Sequence, residues 1–258
     1  MGQLSGAAVV VTGAGGGIGA ALARRFAAEG ARLAVNDLDA DRARAVAAEL
    51  DAIALPGDAS TIAADARDAL GGTVDVYCAN AGVALLDDPF AEDEDAWSAS
   101  WDVNLMAHVR AVRALLPDWL ERGGGRFVST VSAAGLLATI GAAPYTVSKH
   151  AAYSFAEWLS LTYRHRGLKV HAICPRGVRT DMLTAAGELG EMILAPYAIE
   201  PEAVADALMD GIAADRFLIL PHPEVAEYYR DRATDPEAWL DGMNKIQRAW
   251  EKRTTGAV

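Results

Sequence analysis

The sequence has little cysteine, no excess of basic charge and no long apolar run. Its 258 residues include only Cys78 and Cys174, too few for a disulfide framework, so we expect a reduced, cytoplasmic protein. Acidic residues outnumber basic ones, 35 to 23, and the net charge of −12 disfavours nucleic acid and anionic membranes as partners. No apolar stretch approaches the roughly 18 residues of a membrane span. The first residues have no basic start and no long apolar stretch, so we expect no secretory signal.

Short apolar runs alternate with helical patterns along most of the chain. The predicted strands are residues 7–12, 32–36, 53–55, 74–78, 126–131, 169–174 and 217–220. The predicted helices are residues 18–29, 40–50, 61–70, 95–121, 144–165 and 201–214. This order predicts an α/β fold, because parallel strands need crossover connections, with helices on both faces of one parallel sheet.

The chain shows no linker-like segment, and we predict one domain over residues 1–258. Residues 221–258 form a tail that we expect to fold as one or two helices outside the sheet.

A glycine-rich turn stands between the first predicted strand and the first predicted helix. It runs from Thr12 to Gly19 with the sequence TGAGGGIG. Residues without side chains let backbone N–H groups approach a pyrophosphate, and the helix N-terminus adds partial positive charge. The spacing fits more than one glycine pattern, so the register stays open, but the strand and helix on either side favour dinucleotide binding over a simple tight turn.

Asp37 ends the second predicted strand. A carboxylate there can accept hydrogen bonds from adenosine ribose hydroxyls and would repel a 2′-phosphate. The residues that follow, Leu38 and Asp39, bring no positive charge to such a phosphate. These features favour NAD over NADP.

Tyr145 and Lys149 have the spacing Y-x-x-x-K near the start of a predicted helix, which puts both on one face. Lowering a tyrosine pKa from about 10 to about 7 takes roughly 4 kcal/mol, which a unit charge about 4 Å away can supply at an effective dielectric near 20. The pair alone is also compatible with an ordinary exposed helix face.

Several motifs in a fixed order extend these observations. They are the turn from Thr12 to Gly19, Asn80-Ala81-Gly82 after the fourth strand, Asn104 in the sequence DVNL, Ser132 in VSAAG, and Tyr145 with Lys149. Over residues 4–182 the chain resembles the short-chain dehydrogenase/reductase family, in its compact single-domain form. The resemblance implies a Rossmann-type doubly wound sheet in three layers, with a C-terminal helical extension.

The resemblance also implies a role for each motif residue. Tyr145 would be the acid/base, with Ser132 on the reacting oxygen, Lys149 beside the tyrosine and the nicotinamide ribose, and Asn104 on a proton-relay water. The implied catalytic residues are Asn104, Ser132, Tyr145 and Lys149. The implied cofactor-binding residues are Gly13, Gly15, Gly16, Gly17, Ile18, Gly19, Asp37, Leu38, Asp58, Ala59, Asn80, Ala81, Gly82, Tyr145, Lys149, Pro175, Gly177, Val178 and Thr180.

One position departs from the family pattern. Arg176 stands where the family often has glycine, so either Gly177 takes over an unusual backbone geometry or the loop is shaped differently. Residues 181–200 follow, where the family has its substrate loop, and their apolar side chains favour an apolar substrate.

We expect no metal site, because neither His108 nor His150 has partners at ligand spacing. The acidic run at residues 87–95 is most simply a solvated loop before a helix, with divalent ion binding as the alternative. The family resemblance further implies a homodimer or homotetramer.

These features predict an NAD(H)-dependent oxidoreductase that interconverts a secondary alcohol and a ketone on a small, apolar molecule. Two alternatives stay open: an NADPH-linked reductase of 3-oxoacyl thioesters, which Asp37 disfavours, and a nucleotide-sensing binding protein without turnover, which the complete set of motif residues disfavours.

Overall fold

A computed structural model describes residues 4–84 and 93–255 of the chain. Its seven strands form a single sheet in the order β3-β2-β1-β4-β5-β6-β7, and every neighbouring pair is parallel. The strands are β1 Ala8–Val11, β2 Arg32–Asp37, β3 Ile53–Pro56, β4 Val76–Ala79, β5 Gly125–Thr130, β6 Leu168–Ile173 and β7 Leu218–Ile219. The predicted doubly wound parallel sheet is therefore confirmed.

Helices cover both faces of the sheet because successive strand residues point to opposite sides. In β1, Val10 belongs to the core shared with Leu115 and Leu159 on one face, whereas Val9 packs with Leu22 on the other. The α-helices are α1 Gly17–Ala28, α2 Ala40–Glu49, α3 Ala63–Ala69, α4 Glu94–Trp101, α5 Ala107–Glu121, α6 Ala143–Tyr163, α7 Asp181–Ala185, α8 Gly187–Ile193, α9 Pro201–Ala213, α10 Glu224–Thr234 and α11 Pro236–Thr255. The fold thus has three layers.

One predicted helix differs from its observed form. The helix expected over residues 95–121 is split by a π-helical turn, Asp102–Met106, between α4 and α5. Asn104 lies in this turn, and its side chain bonds to the backbone of Val83 through both amide atoms at 2.9 Å. The wider turn directs Asn104 away from the helix and toward the end of β4.

The strand order reverses direction next to β1, which is flanked by β2 on one side and by β4 on the other. Ligands of doubly wound sheets bind at such a point, outside the carboxyl ends of the strands. The turn after β1 and the Asn80-Ala81-Gly82 segment after β4 meet at this edge.

Three further predictions bear on the outer parts of the molecule. The tail folds as α10 and α11, a C-terminal helical extension as expected.

Most of the acidic run lies outside the described residues, but Asp93 caps α4 by accepting hydrogen bonds from Asp95 and Ala96. Within the described ranges, no helix is both long and apolar enough to cross a membrane.

Candidate active site

The glycine-rich turn has a tightly packed backbone whose register follows from two close approaches. A Cβ on Gly19 would lie 2.1 Å from the Gly13 carbonyl oxygen, and Gly17 has a φ of +50° with Thr180 Cγ2 at 2.9 Å from its Cβ position. Both positions therefore require glycine. Gly13 is crowded as well, with Ala81 Cα 2.8 Å from its Cβ position. Only the pattern T-G-x-x-x-G-x-G specifies both Gly13 and Gly19, so this pattern, with Gly17, is the one in use. Gly15 is also crowded, by Arg42 Cβ at 2.6 Å, whereas Gly16 has room for a side chain.

The first turn of α1 is open to an anion. Its N-cap residue is Gly16, which has no side chain to bond the first N–H groups, and no acidic residue lies in the first turn. Unpaired N–H groups and the helix dipole together favour a phosphate at such an end. The turn and α1 fit a pyrophosphate on both counts.

Asp37 closes the side of this turn nearest to β2. Its Oδ2 accepts a hydrogen bond from the Gly15 N–H at 2.9 Å, and its Oδ1 accepts one from the Asp39 N–H at 3.0 Å. The neighbouring Leu38 is 80% exposed. A carboxylate held in this way can accept further bonds from ribose hydroxyls.

Arg42 also lies beside the turn, and sequence reasoning missed it. Its Nη1 atom is 3.8 Å from the Cβ position of Gly16 and 3.0 Å from Asp181 Oδ2. A positive charge is therefore present near Asp37, although neither Leu38 nor Asp39 supplies one. The available signal was its place one turn into α2, after the Asp39 N-cap.

Asn80 ties the end of β4 to the glycine-rich turn. Its Nδ2 donates to the Thr12 carbonyl at 2.9 Å, and its Oδ1 accepts from Thr130 Oγ1 at 3.0 Å. Thr12 Oγ1 in turn accepts from the backbone N–H of Ala81 at 3.0 Å. These bonds hold β1, β4 and β5 together at the edge where the ligand would enter.

Asp58 and Ala59 follow β3 on the same side of the molecule. Asp58 forms a turn by accepting from the Ser60 N–H at 2.8 Å, and the Tyr77 hydroxyl donates to the Ala59 carbonyl at 3.4 Å. The turn is therefore hydrogen-bonded to β4, which contains Tyr77.

Asn104 and Lys149 converge on Gly82. A Cβ on Gly82 would lie 3.1 Å from Asn104 Oδ1 and 3.3 Å from Lys149 Nζ, so a side chain there would make an unusually tight contact with both. Asn104 Nδ2 also donates to Ser148 Oγ at 3.0 Å, which links the π-helical turn to α6. The buried Lys149 ammonium donates to the Thr130 carbonyl at 2.9 Å.

Ser132 and Tyr145 meet in front of this group. Ser132 follows β5 with a φ of +118°, a strained value for a residue with a side chain. Its Oγ accepts from the Ala134 N–H at 3.1 Å, and its hydroxyl lies close enough to the Tyr145 phenol to affect the pKa of that phenol. The strain thus accompanies a serine that faces the phenol.

The pKa of Tyr145 shifts in the direction opposite to that expected from its neighbour Lys149. Burial raises the pKa of Tyr145, and the neighbouring Ser132 hydroxyl opposes that rise. Lys149 Nζ lies 5.7 Å from the centre of the tyrosine ring, and burial lowers the pKa of Lys149 to about 8. In this environment burial has more effect on the phenol than the ammonium does.

The segment after β6 completes the site. The Pro175 carbonyl accepts from the Ala133 N–H at 2.7 Å, next to Ser132. Thr180 contacts the Cβ position of Gly17, and its Oγ1 donates to the Val178 carbonyl at 3.3 Å. The loop from β6 therefore reaches the start of α1.

Gly177 does not take over a left-handed backbone geometry, so that alternative for the Arg176 departure is wrong. Neither residue is among the positive-φ positions of the described chain. Gly177 is instead needed for close approach, because a Cβ there would lie 2.5 Å from the Leu194 carbonyl oxygen. The loop is shaped by its contact with residues 181–200, most of which are helical in α7 and α8.

Within residues 4–84 and 93–255, no group of three or more histidine, cysteine or acidic side chains is arranged to hold a metal ion. The predicted site residues that come together are thus backbone N–H groups, an amide, a hydroxyl, a phenol and an ammonium, which suit proton transfer and anion binding.

Comparison with known proteins identifies the family. Residues 7–189 match the family described as short chain dehydrogenase. The chain is 34% identical to 1-deoxy-11-beta-hydroxypentalenate dehydrogenase of Streptomyces exfoliatus, over 88% of this chain and 87% of that one. It is 30% identical to 2,5-dichloro-2,5-cyclohexadiene-1,4-diol dehydrogenase of Sphingobium indicum, over 70% of this chain and 76% of the relative.

A solved structure of the same family has the same fold as this chain. The short chain dehydrogenase/reductase of Burkholderia phymatum, crystallised in complex with NAD, superposes with a TM-score of 0.84 at 27% identity. The match covers 92% of this chain and 96% of that one. The protein therefore belongs to the short-chain dehydrogenase/reductase family of oxidoreductases.

Proposed function

We propose that the protein is an NAD(H)-dependent oxidoreductase that interconverts a secondary alcohol and a ketone on a small apolar molecule. The observation that carries the proposal is the grouping of Ser132, Tyr145, Lys149 and Asn104 at the strand edge where the glycine-rich turn opens. Both relatives named above are dehydrogenases whose names give a hydroxylated substrate, a hydroxypentalenate and a diol, which supports the same reaction class here.

Tyr145 is the proposed acid/base. Its raised pKa favours the neutral phenol, the form that donates a proton to a carbonyl oxygen during reduction. In the other direction the same oxygen takes the proton of the alcohol. The Ser132 hydroxyl, which faces Tyr145, would bond the reacting oxygen and stabilise charge that develops on it.

Lys149 and Asn104 have supporting roles in the proposal. The Lys149 ammonium carries positive charge at neutral pH, since its pKa of about 8 lies above 7. It therefore stabilises negative charge on the Tyr145 oxygen. Asn104 holds the Val83 backbone and Ser148, and so fixes the space between β4 and α6 through which a relay water would pass a proton.

In this chemistry the hydride would come from, or pass to, a bound nicotinamide dinucleotide. The residues proposed to hold it are Gly13 to Gly19 at the pyrophosphate, Asp37 and Leu38 at the adenosine ribose, Asp58 and Ala59 at the adenine, Asn80 to Gly82 beside the adenosine, and Pro175, Gly177, Val178 and Thr180 near the nicotinamide. The glycine-lined turn and the open α1 N-terminus support this fit.

Replacing Tyr145 with Phe tests the reaction. We expect turnover to fall by about a thousandfold while NADH affinity stays within about twofold, because only the hydroxyl is lost. The assay follows reduced nicotinamide absorbance across a panel of secondary alcohols and ketones. Near-normal turnover in the variant would reject Tyr145 as the acid/base. Tight NADH binding by the wild type without turnover of any compound would favour a nucleotide sensor.

Replacing Asp37 with Ala tests the cofactor. We expect NADH affinity to fall about tenfold, since hydrogen bonds to a charged group contribute roughly 1.5–3 kcal/mol, and discrimination against NADPH to relax. Isothermal titration with both dinucleotides measures the change. The matched variant Arg42→Ala should keep the preference for NADH. A wild type that prefers NADPH, and loses that preference in Arg42→Ala, would overturn the assignment and favour an NADPH-linked reductase of 3-oxoacyl thioesters.

A further inference from the structure

The Arg176 side chain contacts none of the four proposed catalytic residues and packs between residues 193–197 and α10. Its Nη2 donates to the Ile193 carbonyl at 2.8 Å, at the end of α8. Its guanidinium carbon lies 4.1 Å from the centre of the Tyr197 ring and 5.8 Å from that of Tyr228 in α10. The side chain is 19% exposed and faces Glu224 Oε1 at 3.8 Å.

The backbone of Arg176 takes part in the same contact. Its N–H donates to His222 Nδ1 at 3.1 Å, and His222 Nε2 lies 3.1 Å from the Tyr197 carbonyl oxygen. An imidazole that accepts at Nδ1 carries its proton at Nε2, so a neutral His222 donates to Tyr197. Arg176 and the buried His222 therefore both bond to the segment of residues 193–197.

This segment is the second half of residues 181–200. Ile199 donates to the Gly177 carbonyl at 3.1 Å and accepts from the Arg179 N–H at 2.9 Å, a short parallel bridge with the loop after β6. The first half is tied by other contacts: Leu189 Cδ2 lies 2.9 Å from the Cβ position of Gly141, and the ion pair of Asp181 with Arg42 has side chains 87% and 57% exposed. Exposed ion pairs contribute about 0–1 kcal/mol, so the two halves differ in how firmly they are held.

We propose that Arg176 is a positioning residue that fixes residues 193–199 against α10, so that these residues form a fixed wall of the substrate site and only residues 181–192 move. The inference rests on the proposed function, in which residues 181–200 border the substrate. A planar guanidinium suits this place because it can stack on a ring and donate to a carbonyl at the same time, which an ammonium cannot do. A glycine at position 176 would provide neither contact.

The wall affects substrate affinity more than the chemical step, since Arg176 is bonded to the loop and to α10, and its contacts include none of the four proposed catalytic residues. Loosening residues 193–199 requires the substrate to order them on binding. We therefore expect Arg176→Met to raise KM about tenfold and to change kcat less than about threefold, with NADH affinity unchanged. Arg176→Lys should recover part of the loss.

Hydrogen exchange of the cofactor-free protein tests the positioning directly. In Arg176→Met we expect peptides over residues 193–200 to exchange at least about tenfold faster, while peptides over β5 keep wild-type rates. The control is Arg179→Met, which removes a neighbouring exposed arginine that pairs with Glu200 at 2.8 Å. That variant should show wild-type exchange in residues 193–197.

A second variant covers the case in which Arg176→Met does not fold. Tyr197 is 53% exposed, so Tyr197→Leu removes the stacked ring from the loop side at little risk to the core, and we expect faster exchange in the same peptides. Unchanged exchange of residues 193–200 in either folded variant overturns the proposal, as does an equal rise across β5. If the wild type turns over no alcohol or ketone, the proposed function fails while the exchange result still decides the role of Arg176.

Discussion

Lys149 shows how one buried charge affects both the proposed chemistry and the stability of the fold. The side chain is 3% exposed and bonds to the Thr130 carbonyl. Burial lowers its pKa from 10.5 to about 8. The folded protein therefore disfavours the charged form that the proposed mechanism uses.

The sign of the resulting pH dependence follows from the two pKa values. Below pH 8 both the folded and the unfolded chain bind the proton, and the folded state bears the full cost of the buried charge. Between about pH 8 and 10.5 the unfolded chain binds more protons than the folded one, so this group makes the free energy of unfolding rise with pH.

We predict that Lys149→Met abolishes turnover and stabilises the protein at pH 7. The gain is on the order of 1–2 kcal/mol, because relief of about 3 kcal/mol of charge burial is partly offset by the unpaired Thr130 carbonyl. Urea denaturation at pH 7, 8, 9 and 10 measures it, with Lys245→Met, an exposed lysine of α11, as the control. The advantage should shrink as the pH rises. A difference that is constant across this range would contradict the assignment.

For single residues, the sequence predicted which side chains meet at the proposed site but not the direction in which the pKa of Tyr145 shifts. The motifs containing Ser132, Tyr145 and Lys149 named the groups that meet at the strand edge. The direction of the Tyr145 pKa could not be read in the same way, since it depends on how much water the surrounding helices exclude. Arg42 was missed for a similar reason: its distance from Gly16 is set by the packing of α2, not by a motif.

The first turn and α1 show the same limit at the scale of elements. Glycine spacing predicted a phosphate-binding turn, but the register could be decided only from the backbone positions of Gly13, Gly17 and Gly19. The π-helical turn that carries Asn104 has no spacing signal of its own, because its residues fit the surrounding helical pattern. The strands and the longer helices, in contrast, follow directly from apolar periodicity.

We predict that Gly19→Ala destabilises the cofactor-free protein whereas Gly16→Ala does not. The added methyl group of Gly19→Ala would lie 2.1 Å from the Gly13 oxygen and 2.6 Å from Asn80 Nδ2, so the turn must shift. Overpacking of this kind costs about 1–3 kcal/mol. At Gly16 the nearest atom is the flexible end of Arg42 at 3.8 Å, and φ is −172°, which any residue adopts. Thermal denaturation compares the two, and equal midpoints would contradict the proposed register.

The whole molecule leaves an apolar stripe on α6 without cover from the described part of its own chain. Val147, Trp158 and Leu161 are 44%, 49% and 79% exposed, and their spacing puts them on one helical face. Trp101, at the end of the adjacent α4, is 44% exposed. Ser154 lies between Val147 and Trp158 on this face, and exposed apolar side chains grouped on one face favour a protein interface. The stripe supports the homodimer or homotetramer that the family resemblance implies.

We predict that the wild type is a dimer or tetramer and that Trp158→Lys/Leu161→Lys separates the subunits that meet on α6. In a two-fold interface each residue is buried twice, at roughly 1.5–3 kcal/mol per side chain, so the dissociation constant should rise at least about a hundredfold. Light scattering after size exclusion measures the mass. Leu240→Lys, on α11 and 60% exposed, changes an exposed apolar residue of a different helix and should leave the mass unchanged. A monomeric wild type would contradict the predicted interface. A double variant that keeps the wild-type mass would place the subunit contact on another surface, since unpaired lysines buried in the interface would weaken it.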